Sequence, residues 1–182
     1  KKLKRLLAYS SISHVGYLLL AFSANSLEGT QSLLFYLIIY MLTSLSIWSV
    51  VLSLNTSVNK EKSKTLIDLA SIGNSNPLLG FSGMLAFFSL AGVPPLAGFF
   101  AKMEIFVSSL SASLFFVSLV AILSSVISSF YYIRLIKTMY FEVKEDNFFV
   151  FPVTRSCSLT LGITIFFLFF LFLNPSLFLI LT

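Results

Sequence analysis

A single lysine, Lys102, lies in an apolar stretch that also contains two consecutive prolines, SLAGVPPLAGFFAKMEIF (Ser89–Phe106). Between Asp68 and Arg134 the only charged residues are Lys102 and Glu104. An ammonium group at the centre of a membrane costs about 2.5–3.5 kcal/mol on insertion scales, so such a residue is usually functional. A lysine that gains and loses a proton inside a protein offers two charge states, which a neighbouring charge can bias.

The prolines indicate where Lys102 lies. Proline lacks an N–H and clashes with the carbonyl four residues earlier, so Pro94-Pro95 should interrupt a helix. A broken helix in a membrane is tolerated only where protein or a water-filled cavity surrounds it, and such helices mark ion sites in transporters. Gly92 and Gly98 flank the break and allow the chain to turn or to pack closely. We expect Lys102 to face the interior of a helix bundle; the alternative is that its ammonium reaches the lipid headgroups.

His14 is a second polar residue within an apolar run, and an imidazole can bind and release protons near neutral pH. Ser10, Ser11 and Tyr17 occur at helical spacings from His14, so the four residues would form one polar stripe. This pattern predicts a proton relay. A histidine held only by hydrogen bonds to a neighbouring helix fits the same pattern equally well.

Other polar and aromatic residues carry less specific signals. Glu104 should point to a different helix face from Lys102, where it would pair with a cation of another subunit or lie near the membrane surface. The serines of Ser108–Ser113 and Ser124–Ser129 are typical of hydrogen bonding between membrane helices. Three aromatic residues are interpreted as packing or interfacial side chains: Trp48, Tyr131 and Tyr132.

The elements that must position these residues are membrane helices. The 182-residue sequence is 57% hydrophobic and 10% charged, whereas soluble domains carry about 25% charged residues. The net charge of +5 does not indicate nucleic-acid binding, because the basic residues flank apolar runs. The sequence has no glycine-rich nucleotide loop, no metal-ligand spacing and one cysteine, Cys157. We therefore expect an integral membrane protein that itself carries no metal, flavin, haem, iron–sulfur cluster or nucleotide.

Five transmembrane spans are expected, because a spanning helix needs about 20 apolar residues. Three of them are continuous apolar runs: Leu6–Ala24, Ser32–Leu54 and Ser156–Leu173. The 57 residues from Pro77 to Ile133 fit two further spans, one broken at Pro94-Pro95, with the link near Ser108–Ser113. The predicted fold class is all-α, a polytopic membrane helix bundle.

Eleven of the 12 Lys and Arg residues lie before the first span, between the second and third, and between the fourth and fifth. With five spans these segments share one side, which the positive-inside rule places in the cytoplasm or matrix. The N-terminus would lie on that side and the C-terminus on the opposite side. The basic start followed by an apolar run is also typical of a secretory signal, but the spans downstream favour a first membrane helix.

Two motifs, KRLLAYSSISHVGY (Lys4–Tyr17) and SLAGVPPLAGFFAK (Ser89–Lys102), together resemble the subunit 2 family of NADH dehydrogenase, antiporter-like subunits of respiratory complex I. The ending FYYIRLIKTMYF (Phe130–Phe141) fits the same family. Each of the first two motifs alone would also fit sister subunits and Mrp-type antiporter proteins. The family has fourteen helices with two inverted five-helix repeats, each containing one broken helix. The resemblance implies that residues 1–182 form one membrane domain equivalent to the last five helices.

The resemblance also implies roles for individual residues. Lys102 matches the terminal lysine of the family's proton channel, His14 its central histidine, and Lys4 a family lysine near a helix start. Glu104 stays an open candidate. The first-repeat lysines have no counterpart in this chain, which is either a fragment or part of a split subunit. We prefer a split subunit, completed by a second chain that supplies the N-terminal half.

The function implied is that of a proton-translocating subunit of NADH:ubiquinone oxidoreductase in the mitochondrial inner membrane, since plastid members usually have glutamine where His14 stands. NADH, FMN, iron–sulfur clusters and ubiquinone would bind to partner subunits, and other membrane subunits and lipids would surround this chain. Two alternatives remain open. A subunit of a Mrp-type cation/proton antiporter would share the broken helix and the lysine, and a structural membrane scaffold would need Lys102 only for assembly.

Overall fold

The computed structural model describes residues 3–53, 69–70, 72–94, 96–142 and 153–173. These residues form seven helices: α1 (Leu3–Ser23), α2 (Leu27–Ser53), the single turn α3 (Ile72–Ser75), α4 (Pro77–Ala91), α5 (Ala97–Ser111), α6 (Phe115–Phe141) and α7 (Arg155–Leu173). Four of them, α1, α2, α6 and α7, are long and apolar enough to cross a membrane. Together with the broken pair α4–α5 they confirm the predicted polytopic helix bundle.

The predicted helix limits need small corrections. α1 begins at Leu3 rather than Leu6, and α2 begins at Leu27 rather than Ser32. Charged and polar residues at helix ends can remain helical because they lie at the level of the headgroups, where water is available. Leu54, the predicted end of the second span, lies outside the described residues. α5 extends through Ser111, so the link to α6 occupies residues 112–114 rather than beginning at Ser108.

Hydrogen bonds between helices establish their relative directions. Ser10 and Tyr17 of α1 contact Tyr132 and Ser124 of α6 in reverse order along the chain, so α1 and α6 are antiparallel. α2 is antiparallel to α7 for the same reason, as Ser46–Thr164 and Ser49–Thr160 hydrogen bonds of 2.7 and 3.1 Å join them. The start of α1, the end of α6 and the start of α7 therefore lie at one end of the bundle, which gathers the exposed Lys4, Arg5, Arg134, Lys137 and Arg155.

The described core has two hydrophobic clusters, and the polar site lies between them. One contains residues from α1, α2, α4, α6 and α7, including Leu3, Val50 and Met139. The other contains residues from α1, α2, α5 and α7, including Phe35 and Ile105. α2 contributes to both because it packs against α4 and α5 in turn. The helix α2 therefore contacts the protein on both sides of the break, α4 before it and α5 after it.

Serine hydrogen bonds hold the helices together as expected, although only one of the two serine clusters does so consistently. Ser108 bonds to Ser32 of α2 at 3.2 Å, and Ser109 bonds to Ser118 of α6 at 2.8 Å. In the second cluster the hydroxyls of Ser124–Ser129 donate to carbonyls of their own helix, and only Ser124 also reaches another helix. A helical serine can satisfy its hydroxyl on a carbonyl of the preceding turn, so clustering alone does not predict an interhelical bond.

Candidate functional site

The break between α4 and α5 begins at Gly92, which ends α4 in the left-handed conformation with φ of 78°. Glycine adopts this conformation without the steric penalty of a Cβ. The N–H of Gly92 donates to the carbonyls of Phe88 and Ser89 at 3.0 and 3.1 Å, and the N–H of Val93 also donates to Phe88. The turn therefore satisfies two of the four carbonyls that a helix end leaves without an intrahelical partner.

Lys102 satisfies the other two carbonyls. Its ammonium nitrogen Nζ donates to the carbonyl oxygen of Leu90 at 2.8 Å and to that of Ala91 at 3.2 Å. The positive charge also lies at the C-terminal end of the α4 dipole, where cations are favoured. Lys102 is 6% exposed, so the placement of its ammonium among lipid headgroups is wrong. The lysine that follows the break thus caps the helix that precedes it.

After the prolines the chain packs closely against the end of α4. Pro94 is exposed in the turn and Pro95 lies outside the described residues. Gly98, in the first turn of α5, packs so closely on α4 that a Cβ added there would lie 2.0 Å from the carbonyl oxygen of Ser89. The predicted roles of Gly92 and Gly98 therefore differ: the first provides a backbone conformation, and the second permits a close approach.

His14 is buried, 3% exposed, and both of its ring nitrogens contact tyrosine hydroxyls. Nδ1 lies 2.5 Å from the hydroxyl of Tyr36 on α2, and Nε2 lies 3.0 Å from that of Tyr132 on α6. The hydroxyl of Tyr132 also hydrogen bonds to Ser10. Tyr40 stacks on the imidazole ring with 4.7 Å between the ring centroids. A neutral imidazole has one donor and one acceptor nitrogen, so the two tyrosines can fix its tautomer and pass a proton through it.

Sequence reasoning placed part of this network. Ser10 and Tyr17 are buried beside His14, as the stripe predicted, whereas Ser11 donates to the carbonyl of Ala8 on its own helix. Tyr132 packs in the core as expected, but its hydroxyl also binds His14, a role that the sequence reasoning missed. Tyr36 was missed. Its signal was available in the polar spacing Tyr36, Tyr40 and Thr43 along α2, which matches one face of a helix.

Lys102 and His14 line the same small cavity. Its polar lining residues are His14, Tyr36, Tyr40, Thr43, Ser89 and Lys102. The cavity has a volume of about 10 Å³ for water-sized spheres, which is about the minimum that holds one water molecule. The ammonium also lies 5.5 Å from the ring centroid of Tyr17, on the side facing α1. The structure therefore brings together the two residues that the sequence singled out, although they are 88 positions apart.

The other two candidates lie elsewhere. Glu104 lines a separate cavity of about 280 Å³ with Glu28 and Gln31, and its buried Oε2 atom has no hydrogen-bond partner among the described residues. Its position on another helix face from Lys102 is the one that the sequence predicted. Lys4 is exposed in the first turn of α1. Within the described ranges no group of three or more His, Cys, Asp or Glu residues could hold a metal ion.

Residues 1–128 match the model of a family described as "NADH:quinone oxidoreductase/Mrp antiporter, TM". The chain belongs to this family. It is 44% identical over 175 residues to NADH-ubiquinone oxidoreductase chain 2 of Marchantia polymorpha, covering 96% of this chain and 35% of that protein. It is also 43% identical over 146 residues to NADH-quinone oxidoreductase subunit N of Pelagibacter ubique, covering 80% of this chain and 31% of that protein. The chain thus spans about a third of the length of these two relatives.

Two solved structures superpose on most of this chain. A chain of respiratory complex I from Thermus thermophilus with bound aureothin superposes with a TM-score of 0.81 at 34% identity, covering 97% of this chain and 39% of that one. A chain of the Mrp complex from Dietzia has a TM-score of 0.77 at 18% identity, covering 94% of this chain and 40% of that one. The second likeness shows a shared fold. The first, like the 44% identical relative, shows that this chain is similar to subunits of complex I.

Proposed function

We propose that this chain forms a proton-conducting half of an antiporter-like subunit of NADH:ubiquinone oxidoreductase in the mitochondrial inner membrane. The observation that carries the proposal is the buried Lys102 ammonium, whose two hydrogen-bond partners are neutral carbonyls at a helix break. Ionisable side chains inside a membrane pair with one another or with backbone carbonyls, and they mark proton relays and ion pathways. A lysine whose hydrogen-bond partners among the described residues are carbonyls can give up its charge without leaving an opposite charge unpaired there.

The two protonation states of Lys102 have different partners. As an ammonium it has three N–H donors and a charge that the C-terminal end of α4 attracts. As an amine it keeps two donors but loses that attraction, so the cap on Leu90 and Ala91 weakens. A proton that arrives or leaves therefore changes how firmly the side chain is held at the break. A charge elsewhere in the complex can bias this two-state element, which is the requirement for coupling.

His14 provides the continuation of the path. Its imidazole can accept a proton at one nitrogen while it donates from the other, and each nitrogen faces a tyrosine hydroxyl. Ser10 extends the hydrogen bonds beyond Tyr132 along α1. Lys4, at the start of α1, and Glu104, on the far cavity, are proposed as residues near the two ends of the path. Lys102 and His14 have the stronger support, because both line the shared cavity, whereas Lys4 and Glu104 lie outside it.

The partners follow from the length of the relatives. The chain spans about a third of them, and we propose that a second chain supplies the N-terminal half of the subunit, with further complex I membrane subunits around both. The exposed apolar faces of α6 and α7 fit both lipid and neighbouring membrane subunits. NADH, FMN, iron–sulfur clusters and ubiquinone would be bound by other subunits.

The orientation of the bundle is also proposed. The exposed basic residues gathered at one end would face the matrix, so the N-terminus would lie there and the C-terminus in the intermembrane space. Two other functions remain as alternatives. The fold is shared with a Mrp complex chain, which fits a cation/proton antiporter subunit. The cap that Lys102 forms on α4 fits a structural role.

Lys102→Arg and Lys102→Ala distinguish proton cycling at Lys102 from a purely structural role. Arginine keeps its charge under essentially all conditions, so it can cap α4 but cannot cycle a proton. We expect both variants to translocate far fewer protons per NADH oxidised in membranes with matched amounts of assembled complex. Lys137→Arg, at an exposed position near the end of α6, is the control. Normal pumping by Lys102→Arg would contradict proton cycling at this residue and would favour a static electrostatic role of the charge.

A further inference from the structure

Ser89 on α4 carries a buried hydroxyl without a partner. The residue is 1% exposed, and its Oγ atom has no hydrogen bond in the described part of the chain. Ser82, seven residues earlier on the same helix and also buried, donates to the carbonyl of Leu79 at 2.9 Å. A hydroxyl removed from water without a new hydrogen bond is destabilising. The unsatisfied Oγ of Ser89 therefore calls for a specific explanation.

The surroundings of this hydroxyl fit one water molecule. Ser89 lines the cavity shared by Lys102 and His14, whose volume is about 10 Å³ for water-sized spheres. A buried water needs such a volume and two to four polar partners. Lys102 provides one, because an ammonium has three N–H donors and carbonyls occupy two of them. Thr43 and Tyr36 add hydroxyl groups to the same lining.

We infer that Ser89 is a positioning residue that holds one water molecule against the Lys102 side chain, on the path towards His14. The inference rests on the proposed proton-conducting function. In the transfer step, the Lys102 ammonium gives a proton to the water oxygen and becomes an amine. The water gives one of its own protons to a hydrogen-bonded acceptor on the His14 side of the cavity. Water is regenerated, and one positive charge has moved from the lysine to that acceptor.

The backbone explains why Ser89 can do this. Its carbonyl is bonded by the N–H of Gly92 at 3.1 Å, and Gly98 lies directly against it. The backbone of Ser89 is therefore held from both sides of the break, beside the cavity that its side chain lines. Ser89→Ala removes the hydroxyl while it keeps this close packing, because alanine is smaller than serine and has the same Cβ.

The test uses the assembled membrane complex. A cryo-EM map at a resolution that shows ordered waters should contain one water within hydrogen-bond distance of both Ser89 Oγ and Lys102 Nζ. In Ser89→Ala the water density should disappear, and the proton translocation rate should fall about fivefold, the effect of one lost hydrogen bond on a transfer barrier. Ser82→Ala, the matched control on α4, should keep both the water and the rate.

Each outcome decides the inference. Absence of the water from the wild-type map, its persistence in Ser89→Ala, or a wild-type rate in that variant would overturn it. If Ser89→Ala does not assemble, the wild-type map alone decides between the two possibilities. Failure of the proposed function is distinguishable, because it would appear as normal pumping in Lys102→Arg whether or not Ser89 holds a water.

Discussion

The Nζ atom of Lys102 lies 2.8 Å from the carbonyl oxygen of Leu90, twelve residues earlier in the chain. Neighbours on one helix are only three or four residues apart, so a helix alone would not bring these two groups together. The contact exists because the break folds α5 back against the end of α4. The same ammonium therefore caps α4 and takes part in the proposed proton transfer. Substitutions around the break are needed to distinguish the two roles.

Gly92→Ala should weaken this cap. A non-glycine residue at φ of 78° costs about 1–3 kcal/mol when the surrounding structure enforces it. The new Cβ would also lie 3.0 Å from Cδ of Lys102, which would have to move. We expect a lower thermal stability of the complex and a lower proton translocation rate, measured on the same preparation. Gly16→Ala, where no atom lies within 4 Å of the new Cβ, should change neither; equal behaviour of the two variants would contradict the prediction.

Gly98→Ala should be more damaging to assembly than Gly92→Ala. The added Cβ would lie 2.0 Å from a backbone carbonyl oxygen of Ser89, an atom that cannot rotate away. Overpacking of this kind costs about 1–3 kcal/mol or more, and here it separates α5 from α4. The amount of assembled complex, measured by native gel electrophoresis, should fall sharply. Gly162→Ala, with open space around the new Cβ, serves as the control, and normal assembly of Gly98→Ala would show that the helices separate easily.

Tyr36→Phe and Tyr132→Phe should lower proton translocation and leave assembly unchanged. Each removes one hydroxyl that contacts a ring nitrogen of His14, and phenylalanine fills the same space. The loss of a positioned proton-transfer group typically costs about 10²–10⁴-fold in enzymes, and a water that takes the place of the hydroxyl would reduce this loss. The rate is measured in sealed vesicles with matched complex. Tyr9→Phe, on the exposed face of α1, is the control. Unchanged rates in both site variants would exclude His14 from the path.

The chain by itself should not transport protons. The described part of the chain contains one broken helix, and the chain spans about a third of the length of its relatives, so we expect the proposed path to need further helices. Reconstituted alone in liposomes with an imposed pH gradient, it should show no uptake above protein-free liposomes. The purified complex, reconstituted in the same lipid, provides the positive control. Robust uptake by the single chain would refute the proposal of a split subunit.

The sequence by itself determined the class of the protein and the place of its break. Apolar runs of spanning length predict membrane helices regardless of their neighbours, because the bilayer imposes the length and the hydrogen bonding. Pro94 and Gly92 predict the interruption through local backbone sterics alone. The isolation of Lys102 in an uncharged run was sufficient to predict its burial, since an exposed ammonium at that depth would be costly.

Tertiary structure decided which residues meet. The capping of Leu90 and Ala91 by Lys102, and the contacts of His14 with Tyr36 and Tyr132, join helices that are distant in the sequence. No periodicity within one helix specifies the rotation of its neighbour. That rotation is set by close packing, such as the approach of Gly98 to α4, and by serine hydrogen bonds between helices. Lipid favours no particular pair of apolar faces, so only the assembled bundle decides which polar groups share a cavity.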